Sequence, residues 1–217
     1  MTSSVIVFSG VDGSGKSTQI KRLEESLKAK GFMVKVLWAR GGYTPFFLGL
    51  KNFFRRVYPT AIPRPGNSAV RDKRFASSWL RRVWLTVAIL DMGLLCAFWL
   101  RWLKLSGRIV LCDRYIEDTL LDFRRNFPQE QVGEWLLWRV IAKLSVRPDH
   151  RFLLLVAPEV SARRSLLKKE PFPDSQETLV WRYLQYGKMV GCGDWCVIDC
   201  SQPVEAVHAR IRAALKL

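Results

Sequence analysis

Histidine is almost missing from this chain: His150 and His208 are the only two among 217 residues. Cysteine is thin as well, with five residues at 96, 112, 192, 196 and 200, an odd number and no CxxC pair. Cys192, Cys196 and Cys200 stand four apart, but Gly191, Gly193 and the apolar Val197–Ile198 do not suit one helix presenting all three. These shortages speak against a zinc site and favour reduced thiols in a cytosolic protein. Acid is short too: nineteen Asp and Glu face thirty-five Lys and Arg, leaving a formal charge of +16. Such a surface attracts phosphates, nucleic acid or anionic lipid and says little about fold. No RNA- or DNA-reading motif stands beside the charge, so nucleic acid is not the expected partner, and holding polyphosphates is reason enough for it. Heptads, repeats of 20–50 residues and low-complexity tracts are also lacking. The chain enters an apolar strand almost at once, without a basic then apolar leader, so no secretory signal is expected. Hydrophobic residues make up 49% and charged ones 25%, an ordinary globular balance, and one domain over 1–217 is the simplest reading.

What the sequence does have is glycine in one place. "VFSGVDGSGKST", 7–18, follows the apolar Val5–Phe8 and carries Gly10, Gly13 and Gly15 before Lys16, Ser17 and Thr18. Gly10 to Ser17 fits G-x-x-x-x-G-K-[ST] at every required position. In a loop of this kind, which also takes in Asp12 and Ser14, successive backbone N–H groups turn inward around phosphate oxygens, and the following helix adds its positive end. Lys16 is then expected to reach the β- and γ-phosphates of ATP, and the Ser17 hydroxyl to bind Mg2+. In "IVLCDRY", 109–115, Asp113 ends an apolar strand where an acid would steady that magnesium across from Ser17, and Arg114 points a planar donor fork into the same crevice. A lone strand-end Asp is usually a turn residue; its pairing with the glycine loop makes the functional reading stronger.

The order of elements predicts the frame. Strands are expected at Val5–Phe8, 32–38, 108–112, 150–156 and 196–199. Helices are expected over 16–30, 46–57, 72–105 (with a break near Gly93), 116–124, 130–145, from Pro158 to Lys168, from 174 to 189, and over 203–216, with a Pro-rich loop at 59–66. Strands that alternate with helices and read as short continuous apolar runs predict an α/β fold, a doubly wound five-stranded parallel sheet. One run invites another reading. "VWLTVAILDMGLLCAFWL", 83–100, reaches the minimum for a membrane span, bracketed by Arg81, Arg82 and Arg101. A single span would place 7–18 and 109–114 on opposite sides of the bilayer, although they share one site. A long, mostly buried helix is therefore expected, with membrane insertion or surface attachment as the alternative.

Along its whole length the chain resembles the thymidylate kinases, a branch of the nucleoside monophosphate kinases. "FSGVDGSGKST" resembles their "FEGxDGxGKST", "ARGGYTP" at 39–45 their "REPGGT", and "GRIVLCDRYIEDT" their "GKIVICDRYxxSS". "RPDHRFLLLVAPEVSARR" is similar to "PDLTLFLDVDPEVALKR", and "VIDCSQPVEAVHARI" to "VIDASQSPEEVHEEI". The resemblance implies a P-loop kinase fold with a helical lid, about 163–175, and an acceptor-side insert, about 44–70. It places Asp12 at the acceptor's sugar and Arg40 and Arg114 at the acceptor's phosphate. It makes Arg164 the start of a lid whose cations, Arg163, Lys168 and Lys169, fold over the transferred phosphoryl group. The loop 10–17 has no arginine, so a lid arginine is the natural candidate for charge neutralisation, and phosphoryl transfer needs positioning and positive charge more than a base.

Four departures stand out. Ser9 replaces the family's glutamate, Asp118 its serine three beyond "DRY", and "ARGGYT" its proline-bearing loop; "LDM", with Met92, stands where the family has an "ADR" arginine. Most fall on the acceptor side. The stretch 46–66 is aromatic and basic, with Phe53, Phe54, Arg55 and Arg56 at its centre. It reads as an amphipathic helix on the sheet, or as a patch for an anionic membrane or lipid-linked acceptor. The expected function is a magnesium-dependent, cytoplasmic kinase that moves the ATP γ-phosphate to dTMP or a related nucleoside monophosphate. The alternatives are the same chemistry on a sugar, glycolipid or other phosphorylated metabolite, or a non-catalytic, nucleotide-gated protein bound to membrane or nucleic acid. A homodimer and a location peripheral to the membrane stay open.

Overall fold

The computed structural model describes residues 3–41, 49, 75–168, 174–191 and 194–217. Ser4–Gly10 (β1) is buried at every residue, as befits a strand at the centre of a sheet covered on both faces. β1 pairs in parallel with Ile109–Asp113 (β3) on one side and His150–Leu155 (β4) on the other. Val34–Trp38 (β2) flanks β3, and Trp195–Asp199 (β5) flanks β4, giving the order β2-β3-β1-β4-β5. From β1 the chain moves to the outer edge at β2, then returns past β1 to β4. Loops leaving the strands' carboxyl ends therefore diverge around β1 and open a crevice there.

The helices divide between the two faces because strand side chains alternate. Val5, Val7, Val110 and Cys112 point to one core with the long helix Ser78–Leu105 (α2), Ile116–Asn126 (α3) and Leu136–Leu144 (α4). Ile6, Phe8, Ile109 and Leu111 point to the other, with Lys16–Ala29 (α1), Gln176–Val190 (α6) and Val204–Ala214 (α7). Pro158–Leu167 (α5) leaves β4 and packs on α6.

Three boundaries differ from expectation. α2 starts at Ser78, after a turn at Phe75–Ala76, and runs through Gly93 unbroken; a π-helical turn, Leu94–Trp99, takes the place of the break. Gly93 is helical, and its missing side chain serves packing: a Cβ there would stand 2.6 Å from Ile141 Cδ1 of α4. The helix expected over 130–145 is two 3-10 turns, Pro128–Glu130 and Val132–Glu134, followed by α4, because Gln131 is left-handed (φ 44°) and Trp135 extended. α2 alone among the described residues is long and apolar enough to cross a membrane, and half of its most apolar window is buried. Leu85, Ile89, Met92, Cys96, Leu100 and Leu103 line the core, which makes it a core helix, while Leu90, Leu94, Phe98, Trp102 and Leu105 face outward. The helix expected over 46–57 and the loop 59–66 lie outside the described residues, apart from Gly49, as does most of the insert 44–70.

Candidate active site

The glycine loop joins β1 to α1 at the sheet's carboxyl edge. Gly10 sits at φ 141°, and a Cβ there would meet Leu154 O at 2.0 Å, so β4 leaves room for glycine alone. Gly13 (φ 72°) and Gly15 (φ 91°) turn the next peptides in the left-handed sense. Gly15 caps α1 without a side-chain hydrogen bond, and the first turn carries no acid. Its amides and the helix dipole are thus set for an anion. Lys16 is buried, and its Nζ donates to Gly10 O (3.0 Å) and Val11 O (2.8 Å), 3.9 Å from Asp12 Oδ1. Burial and the nearby Arg114 push the lysine's pKa down to about 8, against the pull of Asp12, Asp113 and Asp118. A phosphate would reverse that shift. Ser14 is buried in the loop; Ser17 and Thr18 are exposed on the first turn.

β3 brings the acid. Ser17 Oγ donates to Asp113 Oδ2 at 3.3 Å, across 96 residues of sequence. A hydroxyl and one carboxylate are hard oxygen donors, few in number, which suits magnesium because it keeps its waters and takes phosphate oxygens. Among the described residues there is no group of three or more His, Cys, Asp or Glu able to hold a metal. The donor set fits magnesium shared with a polyphosphate and does not fit a zinc cage.

Arg114 follows at φ 72°, a left-handed conformation that costs a residue with a side chain about 1–3 kcal/mol. Its N–H donates to Phe8 O (2.9 Å), and its guanidinium, 3% exposed, is clamped on two sides. One nitrogen pairs with Asp12 Oδ1; the other lies 3.5 Å from Asp118 Oδ1 and 3.3 Å from the Tyr186 hydroxyl. For Asp12, burial works to raise the pKa, but Arg114, Lys16, Arg40 and Arg182 together outweigh it and hold the carboxyl at about 2. Beyond Arg114 lies a second chain of charges. Arg40 Nε donates to Asp122 Oδ2 (2.6 Å), Arg182 makes an ion pair with Asp122 Oδ1 (2.7 Å), and Arg182 Nε donates to Asp174 Oδ2 (2.9 Å). Both Asp122 Oδ1 and Arg182 Nη1 lack an aligned hydrogen bond, so that pair is held by charge.

The glycine loop, Trp38, Arg40, Asp113, Arg114 and Lys168 line an open cleft of about 180 Å³. No family model matches the chain. A thymidylate kinase of Caldanaerobacter subterraneus subsp. tengcongensis is 50% identical to it over 228 aligned residues, covering 100% of this chain and 96% of that protein. The chain belongs to the thymidylate kinase family. A thymidylate kinase of Bifidobacterium longum (strain NCC 2705) is 26% identical over 216 residues, 97% of this chain and 96% of that one. Another, from Exiguobacterium sp. (strain ATCC BAA-1283 / AT1b), is 28% identical over 166 residues, 76% of this chain and 68% of that one. Membership in the thymidylate kinase family makes the chain a P-loop phosphotransferase, and the five-stranded parallel sheet is the α/β frame expected of one.

Against the sequence reading, the structure gathers Asp12, Gly13, Gly15, Lys16, Ser17, Arg40, Asp113 and Arg114 around one cleft; Gly10 and Ser14 shape the loop from behind, and Thr18 lies outside the lining. Arg164, expected at the start of the lid over the phosphoryl group, donates through its guanidinium to Gly13 O (3.3 Å) and Cys200 O (3.0 Å), outside the lining of the cleft. Those carbonyls hold it against the loop, while Lys168, just past the end of α5, reaches the cleft. Lys169 lies outside the described residues. Met92, in place of an arginine, is fully buried with its sulfur 3.8 Å from Thr119 Oγ1. Trp38, Asp122, Tyr186 and Arg182 were missed. Trp38 ends a strand that points at the site, a signal the pattern contained; the others lie on helices whose approach only the fold reveals.

Proposed function

We propose that the chain transfers the γ-phosphoryl group of ATP to dTMP. One observation carries this reading: the glycine-loop amides, Lys16, the Ser17–Asp113 pair and the arginines Arg40 and Arg114 open onto a single cleft. In this reading ATP lays its phosphates along the loop. Lys16 exchanges its bonds to Gly10 and Val11 carbonyls for oxygens of the β- and γ-phosphates. Ser17 and Asp113 would hold Mg2+, which when bound neutralises charge on the β- and γ-phosphates. Arg40 and Arg114, both anchored by carboxylates, hold the acceptor's phosphate in line with the γ-phosphorus, with Asp12 beside the acceptor's sugar. An acceptor phosphate oxygen forms the new P–O bond as the bond to the β-phosphate bridging oxygen breaks, and ADP leaves. Lys168 is the lid cation placed to cover the charge that develops. The catalytic apparatus forms one domain in the cytoplasm, and the unpaired thiols of Cys96, Cys112, Cys196 and Cys200 suit a reducing compartment.

The non-nucleotide acceptor drew on 46–66, which lies outside the described residues. The non-catalytic reading is disfavoured by so complete a set of phosphate-directed groups. The test is ADP release from ATP and Mg2+ with each of a panel of nucleoside monophosphates, sugar phosphates and lipid extracts. Turnover with dTMP well above the other acceptors is expected; turnover confined to a sugar or lipid, or none, overturns the assignment.

A further inference from the structure

Two of the sequence's departures from the family motif, Ser9 and Asp118, touch. Ser9, at the end of β1, is fully buried and donates through Oγ to Asp118 Oδ2 at 2.5 Å. Asp118, in the first turn of α3, is also wholly buried. Its Oδ2 accepts in addition the Tyr115 N–H (3.0 Å), and its Oδ1 accepts the Tyr186 hydroxyl (2.6 Å) and faces Arg114 at 3.5 Å. Burying a carboxylate is costly unless hydrogen bonds and an opposite charge replace its water, and here four groups from three parts of the fold do so. The motif this chain resembles carries its acid at the position of Ser9 and its hydroxyl at the position of Asp118. In this chain the order of the two is reversed, and here the hydroxyl and the carboxylate are in contact.

We infer that Asp118 is the positioning residue that holds Arg114 toward the acceptor, with Ser9 as its obligate hydroxyl partner. The geometry explains why the carboxylate is kept. Arg114 leaves β3 in a left-handed conformation and has a long side chain with many rotamers. Asp12 restrains one edge of its guanidinium, and Asp118, backed by Ser9, Tyr115 and Tyr186, restrains the other. A planar donor fork gains strength from being fixed before the phosphate arrives. Asp118 is enclosed behind Arg114 and acts through it. The inference rests on the proposed reaction for its kinetic consequence and on the cluster alone for its structural one.

The experiment is a swap. Asp118→Ser, Ser9→Glu and the double variant are compared with the wild-type protein, with Asp118→Asn as a second, gentler change should Asp118→Ser fail to fold. Melting curves establish that each variant is folded. The first readout is the Arg114 side-chain Nε–Hε signal in 15N NMR, assigned by its loss in Arg114→Lys. It is expected to show a restrained guanidinium in the wild-type and double-swap proteins and a mobile one in the Asp118 single variants. The second is the KM for dTMP, expected to rise about tenfold or more in those single variants, in line with loss of a charge-assisted contact, with the KM for ATP within about twofold. The double swap should recover most of the loss. A mobile Arg114 in the double swap, or an unchanged Arg114 signal and dTMP KM in Asp118→Asn, overturns the inference. If the wild-type protein does not turn over dTMP, the proposed reaction fails, and the NMR comparison still decides the role of Asp118.

Discussion

Lys16 shows how a single residue is prepared for its ligand. Its ammonium is enclosed by carbonyls, and burial with the nearby Arg114 holds its pKa at about 8, below the ordinary lysine value of 10.5. The unfolded chain holds that proton more tightly, so this group opposes folding below pH 8, and the penalty is relieved as pH rises from 8 toward 10.5. A polyphosphate does the reverse and favours the charged form. Calorimetry with a non-hydrolysable ATP analogue in buffers of different ionisation enthalpy should therefore show uptake approaching about one proton near pH 9 and almost none near pH 6.5. Uptake that does not grow with pH would assign the loop's charge elsewhere. Lys16→Ala should lower kcat/KM by roughly a hundredfold or more while leaving the melting temperature at neutral pH no lower than that of the parent, since the buried cation opposes folding there. Asp113→Asn should act on a different axis, raising the magnesium concentration for half-maximal rate by about tenfold with a small effect on melting.

At the scale of elements, glycines separate into those that the backbone requires and those that packing prefers. Gly10→Ala combines a φ of 141° with a clash against the Leu154 backbone carbonyl, which has nowhere to go. A loss of about 3 kcal/mol or more is expected, visible as a drop of roughly 10 °C in melting. Gly93→Ala meets only the Ile141 side chain, closest at its terminal Cδ1, and alanine is the better helix former by about 1 kcal/mol, so its melting should stay within about 3 °C of wild type. The same contrast bears on what could be read in advance. "GVDGSGKS" announced its conformation because a phosphate loop has few sequence solutions. Gly93 suggested a break in α2 because nothing local reveals that α4 lies against it.

The whole molecule adds a field. A formal +16 on 217 residues draws in anionic substrates and at the same time strains the folded state by self-repulsion. Salt shortens the screening length from about 10 Å at 0.1 M to about 3 Å at 1 M. Raising KCl across that range should lower kcat/KM for ATP several-fold while holding or raising the melting temperature. Rates that are insensitive to salt would mean the cleft's own cations account for capture without help from the surface. The proposed catalytic constellation is likewise a property of the whole sheet: Lys16, Arg40, Asp113 and Arg114 lie at or just beyond the carboxyl ends of three strands, and parallel pairing aligns those ends at one edge.

By itself the sequence determined the parallel α/β frame, the glycine loop, the strand-end acid and the identity of the family, because each depends on local spacing or on short apolar runs that permit few alternatives. The tertiary structure alone decided how the charges are shared. It placed Ser9 against Asp118 and Arg40 against Asp122, brought Tyr186 and Arg182 in from α6, and set Arg164 on backbone carbonyls and Lys168 at the cleft. The reason is physical: a buried charge is stable only beside partners that replace its water, and those partners come from whichever elements the fold packs there, however distant in the chain.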